Sequence, residues 1–195
     1  MGPQQPQESM IDGYKKQVNT LRNLATIVGF PVELFTTRLG TWGSHYLTAF
    51  PLLGLAWPLI FAAFSGPHAA AGAVIDFWVA CLGMLAVHFA AGQKRRKEGY
   101  RCHSRFWGYS WFDRRTGVES QRKARLGDCL LAFAAGFLFV AAGSEPLGTL
   151  ILIGAVGKLF ADGMEFQASD ARVRQLEDGR IETQTAGELF RQRNG

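Results

Sequence analysis

The sequence predicts an all-α membrane protein whose four transmembrane helices form two hairpins. Three observations carry this expectation. Charge falls in blocks: no Asp, Glu, Lys or Arg stands between Arg38 and Asp76, and no Lys or Arg between Arg125 and Lys158. Four apolar stretches come near the length that crosses a hydrocarbon core of about 30 Å at about 1.5 Å per residue. All 21 basic residues fall on one side of the topology those stretches define. A soluble chain mixes charge along each element, because every surface helix shows water a polar face. Charge-free blocks place both faces against apolar surroundings.

The N-terminal segment, 1–45, opens on a Pro- and Gln-rich stretch over 1–8 that predicts disorder. Ser9 is a suitable helix cap, with Asp12 in the first turn. Ile11, Tyr14, Val18, Leu21, Ala25 and Val28 then recur at three- and four-residue steps. One apolar stripe of this kind predicts a cytoplasmic amphipathic helix, lying on the membrane or on the rest of the protein. A short coiled coil with a partner is the alternative. Gly29 and Pro31 are expected to end the helix, and a second short helix is expected over 31–39.

The first hairpin, 46–92, holds spans over 46–64 and 70–91, joined by a turn at 65–69. Pro51 and Pro58 predict a kink that neighbouring helices can satisfy. A basic, aromatic cytoplasmic loop follows over 93–127. The second hairpin, 128–162, has shorter spans over 128–144 and 146–161, with Lys158 snorkelling to the interface. A re-entrant hairpin is the alternative for this pair. Residues 163–195 predict a helical cytoplasmic tail broken at Gly179.

Sidedness follows from the basic residues: 4 precede the first span, 11 lie in the middle loop, 6 stand from Lys158 onward, and none is in the two outer turns. Basic loops stay in the cytoplasm, so both termini are expected there. Compactness, very short outer turns and Ala/Gly content suggest a bacterial inner membrane. The polar first ten residues hold no secretory leader, so the first span is expected to act as the insertion signal. The net charge of +5 is thereby explained by topology. It points to anionic lipid headgroups as partners rather than nucleic acid. Cys81, Cys102 and Cys129 lack paired spacing and predict reduced thiols.

Asp76 stands inside the second span. A carboxylate there is costly and is expected to face the bundle, either as a packed polar residue or as a contact on a transport path. Folding the first hairpin at its turn brings Trp57 to the same level, as a candidate indole donor. Folding the second hairpin brings Asp128 opposite Asp162, with Lys158 one turn away, which predicts an ion network at the cytoplasmic rim. In the middle loop, Arg95, Arg96, Tyr100, Arg105, Trp107, Tyr109 and Trp111 suit a headgroup-level belt. A protein docking surface is the alternative. Ala132 with Gly136, and Gly154 with Gly157, let helices approach closely.

His88, His103 and Cys102 lack metal-ligand spacing, and no metal or cofactor is expected. No nucleotide loop, HExxH, GxSxG or haem-attachment motif is present in the sequence. The sequence leans against an enzyme. It suggests a non-enzymatic subunit or scaffold of a larger membrane assembly, joined to other subunits or to copies of itself. Two other readings stand beside it: a small channel, permease or lysis-type pore using Asp76, and a lipid-acting enzyme using His88, His103 and Arg105.

Overall fold

The computed structural model describes residues 5–42, 50–64, 69–99, 108–113 and 118–194. Among the described residues five helices follow one another: α1 (Gln5–Thr36), α2 (Phe50–Phe64), α3 (Ala69–Lys97), α4 (Val118–Ala141) and α5 (Glu145–Asn194). No strand occurs among the described residues; Thr37 and Ser110 form one isolated antiparallel bridge. Three stretches are long and apolar enough to cross a membrane, Gly72–Lys97, Gln121–Ala141 and Glu145–Gln184. A shorter apolar stretch lies in α2, Leu53–Phe64.

The chain divides into two compact units, 1–161 and 162–195. The second unit is helical to Asn194, and every residue over 171–184 is exposed. The break expected at Gly179 is absent. A lone helical glycine costs about 1 kcal/mol relative to alanine, and the good helix formers around it offset that.

In the first unit α1 departs most from expectation. It does not stop at Gly29 and Pro31, and no second short helix follows; a single helix runs through both residues to Thr36. Its last turns, FPVELFT, are apolar nearly all round, the pattern of a buried helix. Phe30 and Leu34 enter one core cluster with Trp42, Leu55 and Cys81. Val32, on the other side of α1, enters a second cluster with Ala132, Leu147, Ile151 and Ala155. The end of α1 is therefore surrounded, and Phe30, Pro31, Val32 and Leu34 are all buried.

Gly29 is where α1 crosses α5. A Cβ added there would lie 2.5 Å from the Lys158 backbone nitrogen, and one on Gly157 would lie 2.9 Å from the Ala25 carbonyl oxygen. The two backbones touch, which only small residues allow. The local stop signal is thus a packing surface.

The second hairpin is longer than expected. α2 has 15 residues, about 22 Å, and positions 46–49 of the first expected span lie outside the described residues. α4 begins at Val118 rather than at 128, so Arg122, Lys123, Arg125 and Asp128 prolong the apolar run as helix. The turn at 65–68 lies outside the described residues. The α4–α5 turn is a Schellman cap: Ser144 N–H donates to Phe139 O (2.9 Å) and Gly143 N–H to Val140 O (3.0 Å), with Gly143 at φ 84°. Pro58 withdraws a donor inside α2. Next to the carbonyl it frees, Trp78 of α3 donates its indole N–H to Leu55 O at 2.9 Å.

The crossing predicts that Gly29→Ala lowers stability by about 1–3 kcal/mol, the usual penalty of overpacking. Gly83 of α3, with nothing within 4 Å of an added Cβ, should tolerate alanine without loss. Denaturation of the purified protein in mixed detergent measures both. Equal midpoints for the two variants would refute the crossing.

Candidate functional site

The last four carbonyls of a helix have no partner within it. In α1 they belong to Glu33, Leu34, Phe35 and Thr36, and the chain supplies donors from three places. Thr37 N–H donates to Glu33 O at 3.0 Å, and Trp111 N–H donates to Thr36 O at 3.3 Å. His88 of α3 donates from Nε2 to Leu34 O at 2.9 Å. A carbonyl only accepts, so Nε2 carries the proton. The imidazole also stacks on Trp42, with ring centroids 4.2 Å apart and planes 7° apart, and Trp42 leans on Phe30.

Beyond α1 the chain pairs with residues 108–113. Arg38 N–H donates to Tyr109 O at 2.7 Å. Thr41 Oγ1 donates to Arg38 O (2.7 Å) and accepts from Tyr109 N–H (3.0 Å). Gly108 has φ 86°, and a Cβ there would lie 2.5 Å from Thr37 Cγ2. Both facts require glycine.

Charged side chains hold this junction from beneath. Arg125 of α4 donates from Nη2 to Gly108 O at 2.8 Å, and its Nη1 lies 3.7 Å from Glu33 Oε1. Ser110 has one hydroxyl proton and two acceptors in reach. Asp128 Oδ1 at 2.8 Å takes it over Ala124 O at 3.5 Å, being closer and charged. The Ser110 oxygen in turn accepts from Phe112 N–H at 3.0 Å. Glu33 is 3% exposed and Asp128 1%. Lys158, 1% exposed, stands where α5 backs onto Gly29.

The expected site residues are distributed as follows. Asp128 and Lys158 are both buried in the first unit; Asp162 is buried and opens the second. Asp76 is exposed and makes no hydrogen bond or ion pair with any described residue. The hydrogen bond expected from Trp57 is not formed, since its Nε1 has no partner among the described residues. The reason is rotation about α3. Val74, Phe77, Cys81, Met84, Leu85 and His88 make its inward face. At 100° per residue Asp76 lies about 130° from the centre of that face. Arg96 is exposed near the end of α3, Arg95 and Tyr109 are half-buried, and Trp111 is exposed. Tyr100, Arg105 and Trp107 lie outside the described residues.

Sequence reasoning missed Glu33, Ser110 and Arg125. Glu33 carried a signal, as the sole charge between Arg22 and Arg38. Among the described residues no three His, Cys, Asp or Glu side chains gather as a metal group. The hydrogen bonds of His88, Arg125 and Ser110 join one part of the chain to another.

Breaking a buried ion pair leaves a charge behind, at a cost of about 3–5 kcal/mol. Arg125→Met should destabilise by that amount. The Glu33→Leu and Arg125→Met pair together should cost clearly less than the sum of the singles. Ser110→Ala should cost about 1–3 kcal/mol. Strict additivity in this double-mutant cycle would show that the two side chains do not interact. Comparison of the chain with protein-family models, with curated proteins and with solved structures finds no match.

Proposed function

We propose that this chain is a multi-pass membrane protein, a non-catalytic subunit or scaffold of a larger membrane assembly. Its polarity supports the membrane setting. Large apolar side chains point outward: Phe137 is 63% exposed and Leu138 70%, and Ile75, Val79, Val87 and Phe89 line the outside of α3. Glu33, Arg125, Asp128 and Lys158 are inside. Water would favour the reverse arrangement; lipid favours this one. In this reading α2 to α5 cross the bilayer as two hairpins, and α1 wedges its end between them. Both termini face the cytoplasm, where every basic residue collects, as in a bacterial inner membrane. Trp111 and Phe112 meet the headgroups.

One observation carries the non-catalytic reading. Three of the polar side chains buried at the end of α1 tie the chain to itself: His88 to a helix end, Arg125 to a loop carbonyl, Ser110 to Asp128. A rigid bundle of this kind suits a part that positions others. The helix over 171–184, exposed on all sides, offers partners a further surface.

Two measurements test this. With Cys102 replaced by Ser, a cysteine at Glu145 should react with an impermeant maleimide in intact cells. A cysteine at Gln184 should react only after lysis, and the reverse pattern would overturn the sidedness. Native electrophoresis in mild detergent should give a species well above the 21.5 kDa chain, with a reproducible companion protein. Migration as a lone monomer would sink the scaffold reading.

A further inference from the structure

The two halves of α1 differ in what they meet. From Ala25 onward the helix is inside the bundle. Thr26, Gly29, Phe30, Pro31 and Val32 are buried, and a Cβ on Gly157 of α5 would lie 2.9 Å from the Ala25 carbonyl oxygen. Before Ala25 the same helix is bare: Tyr14 is 69% exposed, Leu21 59% and Leu24 54%. At 100° per residue Tyr14, Val18, Leu21, Leu24, Ala25 and Val28 fall within an arc of about 120°. Over 13–28 Gln17 is the one polar residue in that arc, and no charge falls in it. The sequence offers two supports for this stripe, the membrane or the rest of the protein. With Tyr14, Leu21 and Leu24 exposed, the described residues are not the one.

Charge selects the occupant. Between Asp12 and Glu33 the sequence has Lys15, Lys16 and Arg22 and no acid. All three positions fall outside the apolar arc. The other exposed helical stretch, 171–184, has the opposite make-up. Val173, Leu176 and Ile181 are exposed there too, but Glu177 and Arg180 fall among them around the helix. Acids outnumber bases over 162–195 by seven to five. An apolar arc beside a basic polar face is the make-up of a helix lying in the headgroup layer. The location agrees. In the membrane setting proposed above Lys158 stands on the cytoplasmic side, and α1 leaves the bundle against its neighbour Gly157. Leu21 and Leu24 are in the first turn outside, where anionic headgroups begin.

We infer that the first half of α1 docks on the anionic lipid surface of the cytoplasmic leaflet, with the Tyr14–Leu21–Leu24 face at the acyl boundary and its basic positions among the headgroups. This goes beyond the scaffold reading and rests only on its membrane setting. The helix that seats one end in the bundle is then held at its other end by lipid.

The test uses the full chain with Cys102→Ser, in vesicles of phosphatidylcholine with about 30% phosphatidylglycerol. Cys81 and Cys129 are buried and take no label. A small dye is placed on one cysteine at a time, by Leu21→Cys, Asn19→Cys, Leu138→Cys or Leu176→Cys, and is quenched by bromine on the lipid tails. Quenching at position 21 should exceed that at position 19, nearly opposite on the helix, by about threefold or more. It should approach the quenching at position 138, and position 176 should stay unquenched. Replacing Lys15 and Lys16 by Glu should at least halve the quenching at position 21 and leave position 138 unchanged. Equally weak quenching at positions 21 and 19 would overturn the proposal. So would a dye at position 21 that is shielded from aqueous iodide yet untouched by the tails, since protein, a second copy included, would then cover the face. Either result with position 138 quenched overturns this inference alone, whereas loss of quenching at position 138 as well overturns the membrane setting.

Discussion

The contact of α1 with α5 at Gly29 and Gly157 is the constraint from which the rest of the bundle follows. Because the two backbones touch, the end of α1 is driven among the other helices instead of lying along them. Its last turns are then apolar on most sides, which FPVELF provides, with Glu33 as the one charge and Arg125 beside it. Its terminal carbonyls also end in a place where water cannot serve them, and each needs a donor from the protein. His88 and the 108–113 segment are the answer to that need. Arg125 and Asp128 are in turn the answer to the loop's own polar atoms. A close crossing between two glycines thus propagates into a polar network at the far end of the helix.

Much of this was legible in the sequence, and the parts that were not share a cause. The apolar stretches were visible because transfer out of water is a property of composition, which needs no partner to evaluate. The hairpin between α4 and α5 was visible because Gly143 and Ser144 punctuate it locally. The end of α1 was misread for the same local reason: Gly29 and Pro31 are stop signals in water. In apolar surroundings glycine is a contact surface, and neighbours can accommodate a proline. The pairing of Glu33 with Arg125 was beyond reach, although each residue was conspicuous by itself. Nothing in one sequence says which distant cation meets a lone acid.

Asp76 illustrates the difference between height and azimuth. Counting residues from the hairpin turn placed Trp57 at its level, but levels do not specify the rotation of a helix about its axis. The inward face of α3 is set by Phe77, Cys81, Met84 and His88. The tryptophan that bridges α2 and α3 is Trp78, donating to a carbonyl beside Pro58.

The bond between Glu33 and Arg125 has a temporal side. The ribosome makes Glu33 long before Arg125, and at about 5–20 residues per second the interval is on the order of 5–20 s. During that time the acid has no counter-charge and the carbonyls of its helix end have no loop to bind. Glu33 therefore gains its Arg125 partner only after the start of α4 has been translated, whereas Phe30 and Leu34 can already pack on Leu55 and Cys81. The first helix is thus seated in two stages, its apolar contacts with α2 and α3 preceding its polar ones with α4.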